Sequence, residues 1–340
     1  MRHEQRFRQA LFFMSYLVVT MLLSTQVSAK NPDALASGGP SASPENVAKS
    51  EETKQQPTED KPDTAQNELA DLSLEELMSV QVVVTASRKQ ESIHSVPYAM
   101  SVITKEDIRA TGARSVPDAL RLAAGVDVAE LSYGHAAVAP RGFHGFLSRQ
   151  VLVLVDGRQI FDSHFGGTLW GAWPFLLEDI ERIEVIRGPA SVTWGANAVN
   201  GAINIITKDP ADQLGTTIKL TGGSRGAQTE YIGHAFQDDK LRLRLSAEYE
   251  GSDGFRDGGS WLGGLEDDYK AGRMSLYAVY EQSPRDTLTL TAGSGVLDGG
   301  FPRTPLGGFG WRRNPGAQAS YVSGKWSHRI EKDNTLELTA

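Results

Sequence analysis

The residues that could do chemistry are isolated histidines and arginines, and they form no catalytic or metal-binding set. The chain contains neither a Gly-x-x-x-x-Gly-Lys phosphate loop nor a His-Glu-x-x-His metal motif. It has no cysteine, which excludes disulfides, thiolate metal sites and a cysteine nucleophile. His135, His144 and His164 stand apart in sequence, and isolated histidines are more often polar loop residues than metal ligands. The sequence therefore predicts no enzyme activity, no bound metal and no cofactor.

One arginine stands in a more unusual setting, between two strand-like runs. Ile183–Ile186 and Ile203–Ile206 are rich in β-branched residues, as buried strands are. Arg187 ends the first run and is followed by Gly188 and by further glycine and asparagine turns. A guanidinium at a strand end can bind a partly buried carboxylate through two parallel hydrogen bonds. The connection contains more small turning residues than a plain turn needs.

The elements around that connection form a compact mixed α/β domain, predicted at residues 89–210. Thr104–Asp107 and Ser115–Asp118 resemble capping boxes that open two short helices, and Gly125 is expected to close the second. Val151–Val155 is an uninterrupted apolar run that ends at Asp156-Gly157, a turn signal. The arginine and the histidines would therefore be presented by turns around a small sheet.

The pattern changes to strict alternation after Lys208. Apolar and polar residues alternate in Leu241–Glu250, and the same pattern recurs in Thr287–Ala292 and at the end of the chain. About seven strands of about ten residues fit into residues 211–340, the length that a tilted membrane-spanning strand needs. A soluble β-sandwich shows the same alternation, but the heavily charged polar face and the aromatic residues near strand ends favour a transmembrane barrel.

The first 88 residues contain three further segments. Residues 1–29 combine arginines, a short apolar core and a small-residue cleavage pattern, which predicts an export signal peptide rather than a membrane anchor of about 20 apolar residues. Residues 30–70 contain five prolines and no aromatic residue, which predicts a disordered tether. Residues 71–88 hold a short amphipathic stretch and then Val82–Ala86, which is either the first strand of the next domain or a strand donated to a partner's sheet edge.

Six blocks of this sequence occur in a characteristic order. They are Val82–Ala86, Pro97–Thr104, the block that begins at Asp118, Ala139–Phe143, Val151–Arg158 and Asp179–Lys208. Together they resemble the TonB-dependent receptors of the Gram-negative outer membrane, densely from Leu72 to about Lys208 and more loosely beyond. The resemblance implies an α+β plug domain followed by antiparallel strands of a transmembrane β-barrel. Because such a barrel has about 22 strands, the residues from 215 to 340 are expected to form an incomplete one, in a fragment or a truncated product.

The resemblance also implies roles for three groups of residues. The TonB box, which pairs with the periplasmic protein TonB as an added strand, would be Val82, Val83, Val84, Thr85 and Ala86. The residues that hold the plug to carboxylates of the barrel wall would be Arg141, Gly142, Arg187 and Gly188. Aromatic plug loops that contact the ligand would contribute Tyr133, His135, Phe165 and Trp170, because aromatic surfaces suit bulky metal chelates.

These roles predict an outer-membrane receptor that takes up a scarce metal chelate with energy supplied through TonB. A ferric siderophore is the leading ligand, and cobalamin, haem and oligosaccharide are alternatives. The net charge of −8 argues against a nucleic-acid partner, and a monomer in contact with outer-membrane lipid is expected. A secreted β-rich binding protein and an exported enzyme with a β domain are the competing classes, and neither accounts for the plug motifs.

Overall fold

The computed structural model describes residues 82–85, 91–93, 96–132, 135–142, 150–162, 166–254, 268–299, 316–331 and 334–340. The predicted signal peptide, tether and amphipathic stretch lie outside these residues, as do Ala86, Tyr133, His144, His164 and Phe165. Within the described part of the chain, no helix has both the length and the apolar character needed to cross a bilayer.

Nine short strands and three helices make up the described part of the plug, which ends at residue 213. The strands are β1 (Val82–Val83), β2 (Glu91–Ser92), β3 (Ala99–Thr104), β4 (Val126–Ser132), β5 (His135–Pro140), β6 (Val151–Val155), β7 (Arg158–Gln159), β8 (Ile180–Arg187) and β9 (Gly201–Thr207). The helices are α1 (Lys105–Thr111), α2 (Val116–Leu120) and α3 (Ser191–Trp194), and two 3₁₀ turns occur at Leu177–Asp179 and Pro210–Gln213.

A five-stranded sheet lies at the centre of the plug, in the order β3-β8-β9-β6-β7. Strands β6 and β9 are parallel, and the other neighbouring pairs are antiparallel. Along β6, Val151, Val153 and Val155 belong to one apolar cluster, while Leu152 and Leu154 belong to a second cluster. Both faces of the sheet are therefore covered, which explains why β6 is apolar without interruption.

The predicted helix starts are present, but one helix is shorter than its sequence suggested. Thr104 and Asp107 form a reciprocal capping box at α1, and Ser115 accepts a hydrogen bond from the Asp118 N–H at α2. Helix α2 ends at Leu120, and a series of tighter turns continues from there to Gly125, which adopts a left-handed conformation with φ of 73°. The turns therefore replace the last part of the helix that was expected to run up to this glycine.

Seven antiparallel strands follow the plug, each paired with the next along the chain. They are β10 (Gly215–Gly222), β11 (Gln228–Gln237), β12 (Leu241–Ser252), β13 (Tyr269–Glu281), β14 (Asp286–Gly299), β15 (Ala317–Glu331) and β16 (Asn334–Thr339). We call this sheet the wall. The glycine-rich string 222–226 lies at the β10–β11 hairpin, where the sequence predicted a turn.

The wall is polar on the face that is covered and apolar on the face that is open. In β12, Arg244, Ser246 and Glu248 are buried on the plug side, while Leu243 and Leu245 remain partly exposed. On other strands the large exposed apolar side chains include Ile218, Leu220, Leu288, Leu290, Val322 and Leu338. A soluble sandwich buries its apolar face instead, so this pattern fits a barrel wall that faces lipid outside and plug inside.

The two ends of the wall differ in the length of their connections. At one end two tight connections, residues 238–240 and 282–285, join successive strands. At the other end the β12–β13 and β14–β15 connections span residues 253–268 and 300–316. Outer-membrane barrels likewise have short turns at one end and longer loops at the other.

One glycine in the plug sheet is required by close backbone approach. A Cβ atom at Gly201, where β9 begins, would lie 2.3 Å from the carbonyl oxygen of Ile186 on β8. Any side chain here would force β8 and β9 apart at the start of their pairing, where Arg187 lies opposite Gly201.

We expect Gly201→Ala to destabilise the plug by about 1–3 kcal/mol, because overpacking of this size displaces backbone. The measurement is the urea midpoint at which the plug loses its resistance to trypsin. Gly324→Ala on β15 is the matched control, because no described atom lies within 4 Å of the Cβ position there. Equal midpoints for the two variants would contradict the packing argument.

Candidate functional site

Val82–Thr85, the described part of the predicted TonB box, is folded onto the plug. Val82 and Val83 pair with Ser92 and Glu91 in a separate two-stranded ladder, not as a sixth strand of the central sheet. The side chain of Val83 is fully buried and belongs to the apolar cluster that contains Leu152, Leu154 and Ile186. The segment is therefore packed within the plug domain in this structure, and its pairing with a second protein stays a prediction.

A single buried carboxylate holds the end of this segment. One oxygen of Glu184, Oε2, accepts hydrogen bonds from the Val84 N–H at 2.9 Å and from the Thr85 N–H at 2.8 Å. The same oxygen accepts a third bond from the Thr85 hydroxyl at 2.5 Å. The other oxygen, Oε1, accepts from Arg182 Nε at 2.9 Å. Glu184 and Thr85 are both 0% exposed, so these charge-assisted bonds are shielded from water.

Two further side chains complete the contacts of Thr85. Asn204 Nδ2 donates to the Thr85 hydroxyl at 3.1 Å, and Trp194 Nε1 donates to the Thr85 carbonyl at 2.6 Å. Asn204 lies directly opposite Glu184 in the β8–β9 register. We call Glu184, Asn204 and Trp194 the latch. The sequence analysis identified none of the three. Glu184 and Asn204 each interrupt an apolar β-branched run with a polar residue, and that interruption was the available signal.

The two Arg-Gly motifs lie close together at one end of the plug. Arg187 donates to the carbonyl oxygens of Ala124 at 2.8 Å and Met100 at 3.2 Å, both within the plug. The Arg141 guanidinium lies 3.2 Å from the Cβ position of Gly188, so a larger residue there would crowd it. Among the described residues, no hydrogen bond joins Arg187 to the wall. The predicted pairing of Arg141, Gly142, Arg187 and Gly188 with the barrel stays a prediction.

The plug contacts the described wall strands through a carboxylate of its own, whereas the prediction placed the carboxylates on the wall and the arginines on the plug. Asp179 Oδ1 accepts from Tyr231 Oη at 2.7 Å and from Ser246 Oγ at 3.0 Å, and Oδ2 accepts from Ser275 Oγ at 3.0 Å. Arg244 Nε lies 3.6 Å from Asp179 Oδ2. Asp179 is only 2% exposed. We call Asp179 and these four wall residues the anchor, in which the plug supplies the acid and the wall supplies the donors.

The chain segment that links plug and wall is fixed at the same place. The Lys208 N–H donates to the Asp179 carbonyl at 2.9 Å, and Arg244 Nη1 donates to the Lys208 carbonyl at 2.7 Å. Burial lowers the pKa of Lys208, while the charges of Glu178 and Asp179 act in the opposite direction. The backbone of Lys208 is thus tied to Asp179 through its N–H and to the wall through its carbonyl.

Two of the predicted ligand residues, Trp170 and His135, are buried in this structure. Trp170 is 4% exposed and packs edge-on against Phe175 in the plug core. His135 is 6% exposed and begins β5. Both line a cavity of about 70 Å³ that wall residues Arg273 and Glu250 also border. Trp170 thus contributes its ring to the plug core, and the contact of Trp170 and His135 with a ligand stays a prediction.

Comparisons with known proteins agree with this geometry. Residues 92–202 match the family model described as TonB-dependent Receptor Plug Domain. The chain is 34% identical over 213 residues to the Vitamin B12 transporter BtuB of Vibrio vulnificus, an alignment that covers 62% of this chain and 34% of that protein. It is 32% identical over 230 residues to the Iron-regulated outer membrane virulence protein of Vibrio cholerae, covering 64% and 34%. The chain thus spans about a third of the length of these relatives.

Solved structures show the same fold at lower identity. The siderophore receptor PirA from Acinetobacter baumannii has a TM-score of 0.55 at 20% identity, covering 71% of this chain and 39% of that one. The ferripyoverdine receptor of Pseudomonas aeruginosa has a TM-score of 0.57 at 17% identity, covering 74% and 34%. These matches support the arrangement of an α+β plug followed by antiparallel barrel strands.

We expect Glu184→Gln to loosen the Val82–Thr85 segment, because an amide loses the negative charge and has only one acceptor oxygen, whereas donors now bind both oxygens of Glu184. The chain has no cysteine, so Val84→Cys gives a single reporter of exposure to a maleimide. A loss of about 1.5–3 kcal/mol should raise its labelling rate about tenfold or more. Glu181→Gln, which disturbs only the partly exposed pair with Lys105, is the control. Equal labelling in the two backgrounds would rule out the latch.

We expect Asp179 and Tyr231 to be strongly coupled, because both are buried and the carboxylate depends on wall donors. A double-mutant cycle of Asp179→Asn and Tyr231→Phe, measured by the urea midpoint of plug protection from trypsin, should give a coupling of about 1–2 kcal/mol. The control cycle uses Asp209→Asn and Arg242→Gln, a more exposed ion pair at 3.2 Å whose coupling should be about 0–1 kcal/mol. Additive effects in the first cycle would contradict the anchor.

Proposed function

Because this chain belongs to the TonB-dependent outer-membrane receptors and carries their plug domain and the beginning of their barrel, we propose that it takes up a scarce metal chelate with energy from TonB. The family consists of receptors and transporters, not enzymes, which agrees with the sequence prediction. Export through the N-terminal signal peptide and the placement of residues 30–70 as a periplasmic tether belong to the same proposal.

The observation that carries the proposal is the latch on Val82–Thr85. TonB would bind this segment by adding it as a strand, which needs its backbone N–H and C=O groups. In this structure the Val84 and Thr85 N–H groups donate to Glu184, and the Thr85 carbonyl accepts from Trp194. The segment therefore cannot pair with TonB until the latch opens. A ligand that favours the open plug would raise the population available to TonB.

The wall supports the localisation part of the proposal. Leu288, Leu290 and Leu338 are exposed on its outer face, while Arg244 and Arg273 are buried on its inner face. Apolar residues outside and polar residues inside are what an outer-membrane barrel requires. The tight connections at one end, such as residues 282–285, suit the periplasmic side from which TonB would act.

For the ligand, the proposal names metal chelates as the class and a ferric siderophore as the first candidate. One relative, matched over 230 residues, is named for regulation by iron. Cobalamin is the second candidate, favoured by the 34% identity to a vitamin B12 transporter. Both ligands are bulky chelates of a metal that is scarce outside the cell. Haem and oligosaccharide are further outcomes of the same test.

The proposal predicts that uptake depends on the backbone of the box. In a host that lacks its own receptors, the full-length protein should restore growth on ferric enterobactin under iron starvation, or growth that requires cyanocobalamin. Val83→Pro removes a backbone N–H and should reduce uptake at least about tenfold, because proline interrupts strand pairing. Chelate binding at the cell surface should persist, because Val83 lies in the box and not in the loops proposed to contact the ligand.

Val83→Ala is the control for that variant, because it shortens the same side chain and keeps the N–H. Migration on gels before and after heating, together with membrane fractionation, separates a barrel from a secreted binding protein. Full uptake by Val83→Pro, or growth on neither chelate with the unchanged protein in the outer membrane, would refute energy-coupled uptake of these ligands.

A further inference from the structure

A second contact between plug and wall lies apart from the anchor, at plug residues 166–173. The Gly171 carbonyl accepts two hydrogen bonds from Arg273 on β13, from Nη2 at 3.0 Å and from Nε at 3.3 Å. A guanidinium that grips one carbonyl through two nitrogens fixes direction as well as distance. We propose that Arg273 is a positioning residue, which holds plug segment 166–173 on the wall and thereby sets the affinity of the receptor for its ligand.

The wall is shaped to accept this segment. A Cβ atom at Gly295 on β14 would lie 2.3 Å from the Ala172 carbonyl oxygen, and one at Gly293 would lie 2.8 Å from Cγ of Pro174. Two glycines two residues apart on one strand therefore leave a shallow recess that the plug backbone fills. Next to it Leu169 and Ala172 pack with three wall residues, Tyr269, Ala271 and Leu297. The apolar packing of Leu169 and Ala172 and the hydrogen bonds from Arg273 to Gly171 thus hold the same short stretch of the plug on the wall.

Arg273 is itself held rigidly from the wall side. Its Nη1 donates to Glu248 Oε1 at 2.6 Å and to Glu250 Oε2 at 2.8 Å. All three side chains are buried. Two carboxylates from the neighbouring strand therefore fix the guanidinium without any help from the plug. If Gly171 moves away, Arg273 keeps its ion pairs, so release of the segment leaves no buried charge without a partner.

The opposite side of the segment is part of the plug core. Trp170, next to Gly171, packs against Phe175 and borders the cavity that His135 also lines. The chain then runs from this segment into the 3₁₀ turn Leu177–Asp179 that carries the anchor. Shifting Gly171 on the wall must therefore shift Trp170 and reshape the cavity, while Asp179 stays fixed. The wall thus sets the position of plug segment 166–173, and the proposed function places the ligand on this side of the plug.

The first test measures whether Arg273 keeps the segment on the wall. Leu169 is 8% exposed at this contact, and a single cysteine placed there by Leu169→Cys should react slowly with a maleimide in intact outer membranes. Arg273→Gln should raise the labelling rate about tenfold, and Arg273→Lys should give a smaller rise, because a single ammonium keeps the charge but loses the fork. Arg242→Gln, an arginine paired with Glu281 elsewhere on the wall, should leave labelling unchanged.

A second variant approaches the same contact without touching the buried charges. Gly295→Ala should push the Ala172 backbone off the wall and raise Leu169→Cys labelling to a similar extent, with Arg273 intact. Heat-dependent gel migration and the amount of protein in the outer membrane confirm that each variant is folded. Unchanged labelling in both Arg273→Gln and Gly295→Ala would overturn the positioning role.

The third measurement separates positioning from a general structural effect. Binding of radiolabelled ferric enterobactin and cyanocobalamin to de-energised cells gives the dissociation constant, and uptake by energised cells gives the maximum rate. Arg273→Gln should raise the dissociation constant about fivefold or more for the chelate that the unchanged protein takes up, and Arg273→Lys should restore part of it. The maximum rate should change less than about twofold, because the latch and the anchor are intact.

The outcomes distinguish this inference from the proposed function on which its ligand part rests. An unchanged dissociation constant despite faster labelling would overturn the link between the segment and affinity. If the unchanged protein binds and transports neither chelate, the proposed function fails together with that link, while the labelling experiment still supports or overturns the contact itself.

Discussion

The structure depends on one constraint, that the polar inner face of the wall must be matched by polar groups of the plug. Arg244, Ser246, Glu248 and Arg273 point inward and are buried, and a buried polar group without a partner costs about 1–3 kcal/mol. The plug meets this requirement with the Asp179 carboxylate and with backbone carbonyls of residues 171 and 208. The fold of the plug is therefore tied to the wall by the direction of a few hydrogen bonds as much as by apolar contact.

The same two plug strands serve both the wall and the box. Asp179 directly precedes β8, which carries Glu184 five residues later, and β9 carries Asn204 shortly before Lys208. Because Glu184 and Asn204 lie opposite each other in the register, a slip of one residue would turn both into apolar surroundings. That slip would separate Glu184 from Asn204 and from Thr85, so the polar pair favours one register of the central strands. Specific docking of Val82–Thr85 is a consequence of the same pair.

Much of the fold could be predicted from sequence, because it rests on local patterns. The capping box at Thr104, the buried run Val151–Val155 and the alternation in Leu241–Glu250 each identify an element without reference to the rest of the chain. The site was less accessible, because its contacts join residues far apart in sequence. Glu184 lies 99 residues from Thr85 and Asp179 lies 52 residues from Tyr231. Arg141 and Arg187 were recognisable from their glycine neighbours, whereas Glu184 lies within an apolar strand and Asp179 lies in the 3₁₀ turn just before it.

The chemistry of the latch suits a segment that must be held and then given up. A fully apolar segment would be held only by the burial of its side chains, and a partner protein could not replace those contacts one at a time. Here Val83 supplies modest apolar burial, and directional bonds to Glu184, Asn204 and Trp194 supply the rest. A partner strand can take over the backbone N–H and carbonyl groups of Val84 and Thr85, because strand addition uses the same groups. The plug is left with Glu184 bound to Arg182, so its charge stays paired after the segment leaves, and the opening of the latch remains reversible.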